Sequence, residues 1–157
     1  MTYKYASSIT ELYYAFKILK SLGDSYPKFD NWFWDKVVPS VLLHNDKVIM
    51  AYSRGNLVGI SIVKKGIENK LRALRIEPKY QKMGYGLHLI DKSLEELGDD
   101  KPLVSVAEDM LHQFSRIFIN RYQFDMTYVH KGIYIPDKLE YQFNGIKKSL
   151  KEKSIYF

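Results

Sequence analysis

The chain has 157 residues, of which 46% are hydrophobic and 27% charged, and these are the proportions of an ordinary globular protein. It contains no cysteine, which excludes a disulfide framework, a thiolate metal site and a cysteine nucleophile. The net charge of +6 suits an anionic partner such as nucleic acid, a phosphorylated cofactor or an acidic membrane surface.

Length and hydropathy bound the class of protein further. A chain of this length is expected to form a single domain over residues 1–157. It has no run of about 20 apolar residues that could cross a bilayer. Its N-terminus lacks the basic and apolar regions of a signal peptide. We therefore expect a soluble, cytoplasmic protein without a membrane partner.

The first predicted elements are a strand over residues 2–6 and two helices. Ser8 begins a capping box, so the first helix is predicted to start there and to end at Gly23. The second helix is predicted to have Asp30 as its N-cap and to stop at Pro39, because proline lacks the backbone N–H that a helix interior needs.

Three β-rich runs follow, and then a polar loop that contains glycine. The runs cover residues 47–53, 57–63 and 71–76, and the first two are predicted to form a hairpin. The loop, residues 77–86, opens a helix whose apolar positions share one face and which ends at Gly98.

The last part of the chain is predicted to hold a short buried strand, a helix and two closing strands. The strands cover residues 103–106, 124–130 and 139–143, Asp109 caps the helix, and residues 138–157 comprise the last strand and a basic tail. The order of elements predicts an α/β fold with a mixed, mostly antiparallel sheet of about six or seven strands, flanked by about four helices.

The polar loop carries the most informative motif. Gln81-Lys-Met-Gly84-Tyr-Gly86 lies between a predicted strand and a predicted helix. Glycines allow the backbone to approach a ligand closely, and a helix N-terminus favours an anion. The spacing is neither that of a P-loop nor that of a Rossmann fingerprint, whose third glycine position is Leu89 here. The motif therefore predicts a phosphate-binding loop.

The segment LRIEPKYQKMGYG, from Leu74 to Gly86, resembles the acetyl-CoA-binding signature of the GCN5-related N-acetyltransferases (GNAT). The resemblance implies a GNAT-like domain with acetyl-CoA as co-substrate and no metal. It implies that loop amides hold the pyrophosphate, that strand main chain pairs with the pantetheine arm, and that strands 71–76 and 103–106 splay apart around the thioester. The implied acetyl-CoA-binding residues are Leu74, Ile76, Gln81, Lys82, Met83, Gly84, Tyr85, Gly86 and Leu87.

The family's usual catalytic side chains are missing from their usual places. The tyrosine that protonates the leaving thiolate in many members falls at Ile119, and the glutamate base of the histone-acetylating branch falls at Lys70. Tyr122 is close to position 119 along the chain and is therefore the candidate acid. Glu108 is the candidate base, because it lies where a predicted strand meets a helix, a place where sites gather in α/β sheets.

Lys70 and Arg72 are the candidate residues on the acceptor side. They share parity with Leu74, so in a regular strand their side chains face one side of the sheet. Two cations there predict that the acceptor carries negative charge near the cleft. A bulge in this strand would reverse the parity.

Together, motif and resemblance predict an acetyl-CoA-dependent N-acetyltransferase that transfers the acetyl group directly to a primary amine of an unidentified acceptor. Two alternatives stay open. One is an acyl-CoA-binding module without catalysis, and the other is an acetyltransferase acting on charged tRNA or another nucleic-acid-associated acceptor. The sequence also leaves a homodimer open.

Overall fold

The computed structural model describes residues 1–145, which form two β-sheets covered by helices. The strands are β1 (Thr2–Tyr5), β2 (Asp46–Ser53), β3 (Asn56–Lys64), β4 (Lys70–Ile76), β5 (Val104–Ala107), β6 (Met126–Lys131) and β7 (Leu139–Phe143). The α-helical segments are α1 (Ile9–Leu19), α2 (Phe29–Trp32), α3 (Val38–Leu42), α4 (Tyr85–Leu97) and α5 (Glu108–Arg116). The predicted mixed α/β class is confirmed. Residues 146–157, most of the predicted basic tail, lie outside the described residues.

The two sheets diverge from one shared point. The first has the strand order β1-β2-β3-β4 and the second β5-β7-β6, with antiparallel neighbours throughout. They meet at a parallel bridge between Lys70 and Leu103. Within residues 1–145, β4 then continues paired with β3 alone, and β5 with β7 alone. A gap therefore opens between the C-terminal ends of β4 and β5.

Helices cover both faces of this sheet pair. Helices α1, α2 and α3 bury one apolar layer that contains Leu12, Phe29 and Phe33. Helices α4 and α5 lie on the other face, over a layer that contains Leu89. Burying a large apolar side chain contributes about 1.5–3 kcal/mol, so these layers fix the helices on the sheets. None of the helices in the described part of the chain is long and apolar enough to span a bilayer.

Helix α1 begins as predicted but ends differently. Ser8 Oγ accepts a hydrogen bond from the Glu11 backbone N–H at 3.2 Å, and Glu11 Oε1 accepts one from the Ser8 backbone N–H at 3.2 Å, which is the predicted capping box. The helix then tightens into a 3₁₀ turn over Lys20–Asp24. Gly23 lies inside this turn without the left-handed φ of a glycine C-cap, so the predicted end at Gly23 is wrong.

The second helical body continues past Pro39, contrary to the prediction. A π-helical turn over Phe33–Val37 joins α2 to α3, and the Val38 backbone N–H donates to the Phe33 carbonyl oxygen. Pro39 then lies in the first turn of α3, where a backbone N–H is not required. The helix therefore ends only after Leu42.

The two predicted aspartate N-caps are also wrong. Asp30 and Asp109 are the second residues of α2 and α5, whose N-caps are Lys28 and Ala107. Both aspartates still lie in a first helical turn, where a negative charge interacts favourably with the helix dipole.

Gly59 lets β3 lie close to the end of β4, and this makes a prediction about stability. A Cβ at Gly59 would lie 2.5 Å from Ile76 Cδ1 and 3.0 Å from the Arg75 carbonyl oxygen. Because backbone cannot retreat easily, we expect Gly59→Ala to destabilise the protein by about 1–3 kcal/mol in urea unfolding. Gly66→Ala is the control, since its nearest neighbour is Glu68 O at 3.9 Å, and equal stability of both variants would contradict the prediction.

Candidate functional site

The loop between β4 and α4 leaves backbone N–H groups without a side-chain partner. After Ile76 the chain makes a 3₁₀ turn over Pro78–Tyr80, and Gln81 Nε2 donates to the Ile76 carbonyl oxygen at 3.0 Å, which ties the loop to the strand. Gly84 is the N-cap of α4, with a left-handed φ of 84° that glycine adopts without strain. Because no side chain caps this end, the first N–H groups of α4 are available to an anion.

A cavity of about 950 Å³ lies beside this loop, between β4, α4 and α5. Seven of the nine predicted acetyl-CoA-binding residues line it: Leu74, Ile76, Gln81, Lys82, Gly84, Gly86 and Leu87. The other two do not, since Met83 is 61% exposed and the Tyr85 hydroxyl lies 3.0 Å from Ser53 Oγ. Leu22, from the turn after α1, also lines the cavity, which therefore reaches toward the α1 side of the sheets.

The divergence of the sheets gives this cavity an open strand edge. At the bridge, the Leu71 backbone N–H donates to the Leu103 carbonyl oxygen at 3.1 Å, and the Leu103 N–H to the Asn69 carbonyl oxygen at 2.9 Å. Further along, Leu74 and Ile76 pair with β3 on one side, and β5 is not paired with them on the other. Main-chain groups at this edge can therefore bind an extended ligand as an added strand does.

Three cations line the cavity without an ion pair to any residue between 1 and 145. They are Arg75, Lys82 and Arg116. The buried Nε of Arg75 has no hydrogen-bond partner in that part of the chain either. Uncompensated positive charge around a cleft attracts an anionic ligand. The sequence analysis missed Arg75, because the motif was interpreted through main-chain groups of its two neighbours.

Tyr122, the candidate acid, lies behind α4 rather than on the cavity wall. Its hydroxyl donates to Asp91 Oδ1 at 2.7 Å and lies 3.3 Å from the Leu87 carbonyl oxygen. Burial, and after it the hydrogen bond with Asp91, raises the pKa of Tyr122 to about 12, so the phenol stays protonated at neutral pH. Its proton is engaged by Asp91 and not directed into the cavity.

Glu108, the candidate base, is held at the start of β7. It is the first residue of α5, and its Oε1 accepts a hydrogen bond from the Leu139 backbone N–H at 3.1 Å. Lys138 Nζ lies 4.0 Å from the same oxygen. This carboxylate therefore joins α5 to β7, and it does not line the large cavity.

The expectation that Lys70 and Arg72 face the acceptor together is wrong for Arg72. The pairing of β4 with β3 shifts between Ala73 and Leu71, so Arg72 is the extra residue of a β-bulge. Arg72 is 5% exposed, forms a salt bridge with the buried Asp46 and lies over the Trp32 ring at 5.0 Å. Its guanidinium is thus part of the core, whereas Lys70 stays partly exposed at the bridge to Leu103.

A second cavity, of about 170 Å³, contains three carboxylates, of which the sequence analysis singled out only Asp109, as a helix N-cap. Asp24, Asp109 and Glu140 line it, and Glu140 is only 4% exposed. Glu140 Oε1 accepts hydrogen bonds from the Tyr26 hydroxyl at 2.8 Å and from Ser105 Oγ at 3.0 Å. Burial raises the pKa of Glu140 to about 7, although these two hydrogen bonds lower it.

No model of a known protein family matches this chain, and no curated protein sequence does. Solved structures do match it over most of its length. A protein assigned to the GNAT acetyltransferases of Desulfovibrio desulfuricans matches 90% of this chain and 96% of its own, with a TM-score of 0.71 at 14% identity. The chain has the GNAT fold.

Two further structures that match this chain are those of acetyltransferases. A GNAT-family acetyltransferase of Elizabethkingia anophelis with acetyl-CoA bound matches 90% of this chain and 95% of its own, with a TM-score of 0.63 at 12% identity. The ribosomal-protein-S18-alanine N-acetyltransferase of Escherichia coli matches 90% and 92%, with a TM-score of 0.68 at 16% identity. These similarities confirm the GNAT-like fold that the family resemblance implied.

Proposed function

We propose that this chain is an acetyl-CoA-dependent N-acetyltransferase that transfers the acetyl group directly to a primary amine. The observation that carries the proposal is the course of the large cavity. It begins at a glycine-containing, uncapped helix N-terminus and follows the open edge of β4 to the gap between the sheets. The similar structure solved with acetyl-CoA supports the same ligand class.

The loop and its cations hold the donor. The N–H groups from Gln81 to Leu87 bind the pyrophosphate of the donor, and Lys82 adds positive charge beside it. The open edge at Leu74 and Ile76 binds the pantetheine arm through main-chain hydrogen bonds. The thioester then lies in the gap between β4 and β5.

The transfer needs no covalent enzyme intermediate. The neutral amine nitrogen attacks the thioester carbonyl carbon, the new C–N bond forms, and the C–S bond breaks to release the CoA thiolate. Orientation of a reactive thioester beside an amine is worth about 7–11 kcal/mol of barrier, more than the ~10²–10⁴-fold of one acid–base group. Activity is therefore compatible with the position of Tyr122, whose hydroxyl donates a hydrogen bond to Asp91.

An acyl-CoA-binding module without catalysis is the second candidate. It is favoured by one observation, namely that neither the Tyr122 hydroxyl nor the Glu108 carboxylate lines the donor cavity. An acetyltransferase acting on charged tRNA is tested by including that acceptor in the assay.

The experiment combines calorimetry with a thiol-release assay. We expect acetyl-CoA to bind with 1:1 stoichiometry, and acetyl-pantetheine, which lacks the pyrophosphate, to bind at least about 10-fold more weakly, or about 1.4 kcal/mol. Amines, peptides, aminoglycosides and charged tRNA are then tested for release of free CoA. Absence of acetyl-CoA binding would overturn the proposal, and binding without release would favour the second candidate.

A further inference from the structure

Two neighbouring chain segments line both the small acidic cavity and the donor cavity. Leu22 and Met110 line the donor cavity, whereas Asp24, Ser25 and Asp109, their close neighbours along the chain, line the small one. Ser25 Oγ donates to Asp109 Oδ2 at 3.3 Å and joins the two chain segments. The small cavity therefore lies next to the α1 side of the gap through which the thioester is reached.

Glu140 is the buried carboxyl group of this cavity. The hydrogen bonds that it receives from Tyr26 and Ser105 both end on Oε1, and within residues 1–145 its Oε2 accepts none. Ala107 faces Glu140 across the β5–β7 pairing and packs in the apolar layer beneath α1 and α2. Glu140 thus approaches the gap from the face opposite the α4 loop.

The charges around Glu140 are mostly negative. Asp24 and Asp109 line the same cavity, and the charge of Asp109 raises the pKa of Glu140. Lys138 also lines the cavity, but its Nζ lies 4.0 Å from the carboxylate of Glu108, a residue that does not line the cavity. On β6, His130 pairs across from Glu140, and its Nε2 lies 3.1 Å from Gln142 Oε1. The cavity therefore favours a cation.

We propose that the acceptor enters this cavity as a primary ammonium group and that Glu140 is the base that removes its proton. The inference deepens the proposed function and rests on it. The volume of about 170 Å³ is smaller than a site for a whole drug-sized ligand, so it takes the aminomethyl end of a longer acceptor. This replaces the anionic acceptor that the sequence predicted from Lys70 and Arg72.

The proton and electron balance is complete without a further reactant. Glu140 Oε2 takes a proton from the ammonium group, directly or through one water, and leaves a neutral amine. The amine lone pair forms the C–N bond, the C–S bond breaks, and the thiolate takes the second amine proton. Glu140 returns its proton to water. A base whose pKa of about 7 lies near the working pH suits this exchange.

The decisive variant is Glu140→Gln, which keeps the size of the side chain and an oxygen acceptor for Tyr26 and Ser105. With spermidine and a lysine-containing peptide as acceptors, we expect kcat/KM for the better acceptor to fall by about 10²–10⁴-fold. We expect the parent protein to lose rate below about pH 7, where Glu140 is protonated, and the variant to lack this loss. Calorimetric affinity for acetyl-CoA should not change. Glu95→Gln, on the exposed side of α4, is the matched control.

Tyr26→Phe provides a second readout that does not require Glu140 to be replaced. The Tyr26 hydrogen bond lowers the pKa of Glu140, so its removal should move the acidic limb of the kcat/KM profile to higher pH. A merely structural role of Tyr26 would lower the rate without moving that limb.

The outcomes separate this inference from the proposed function. Failure of the parent protein to bind acetyl-CoA overturns both. Turnover that survives in a folded Glu140→Gln variant with an unchanged pH limb overturns the inference alone. Three other results also overturn the inference alone. They are an acidic limb of the kcat/KM profile that does not move in Tyr26→Phe, a preference for anionic over cationic amines, and acetyl-CoA binding without transfer to either cationic acceptor.

Discussion

Replacement of Gly84 by valine is expected to abolish measurable acetyl-CoA binding while the protein stays folded. Gly84 has a φ of 84°, which a β-branched residue adopts only with strain of about 1–3 kcal/mol. A Cβ there meets no protein atom within 4 Å, so no side chain of the protein restricts the space beside it. In the proposed function that space is next to the pyrophosphate, and the valine methyl groups would fill it. We expect affinity to fall by about 100-fold or more, or about 2.7 kcal/mol.

The chain offers a matched control for Gly84→Val. Gly55, in the turn between β2 and β3, has a φ of 78°, and a Cβ there also meets no atom within 4 Å. Gly55→Val therefore carries similar backbone strain at a residue that does not line the donor cavity. Calorimetry should show normal acetyl-CoA affinity for Gly55→Val and loss of affinity for Gly84→Val, with similar losses of melting temperature. Equal affinities would remove the phosphate-binding role of the loop.

The features that the sequence predicts best are those encoded in a few consecutive residues. The capping box at Ser8 and Glu11 and the glycine loop up to Gly86 are examples, because turns and caps depend on local backbone geometry. The alternation of strands and helices is similarly local, and it sufficed for the fold class. The α4 loop was placed correctly for the same reason.

The features that failed depend on which strand lies beside which. Parity along β4 put Arg72 beside Lys70, but the bulge against β3 turns Arg72 into the core, where Asp46 from β2 meets it. In β7, the sequence analysis did not single out Glu140, which alternates with apolar residues at 139, 141 and 143, yet it is buried and accepts hydrogen bonds from Tyr26 and Ser105. In both cases the burial of the side chain depends on residues that are distant along the chain, and a local sequence pattern does not show which residues those are.

The ends of the helices were predicted less well than the caps and turns, although they also depend on local residues. Proline lacks the N–H of an α-helical hydrogen bond, but the π turn before Pro39 places it in the first turn of α3, where that N–H is not required. Tyr122 illustrates the same limit for side chains, since its closeness in sequence to Ile119 did not reveal that Asp91 on α4 binds its hydroxyl.

The buried salt bridge between Asp46 and Arg72 is expected to be a large contributor to stability when one partner is removed. Both side chains are almost inaccessible, with exposures of 1% and 5%. Asp46→Ala leaves a buried guanidinium without its carboxylate, so we expect a loss of about 3–5 kcal/mol in the free energy of unfolding. Denaturant unfolding with a constant m-value measures it.

Two controls test whether the loss of stability in Asp46→Ala comes from the burial of an unpaired charge. Lys101→Ala breaks an exposed ion pair with Asp125, with side chains 51% and 73% exposed, and should lose less than about 1 kcal/mol. Asp46→Leu combined with Arg72→Met removes both charges and should recover most of the stability, because an apolar pair needs no desolvation of ions. A loss below about 1 kcal/mol in the free energy of unfolding for Asp46→Ala would contradict the prediction that the buried salt bridge stabilises the fold.

The same reasoning predicts that Arg72→Glu unfolds the protein rather than changing its acceptor, because it buries two carboxylates against each other.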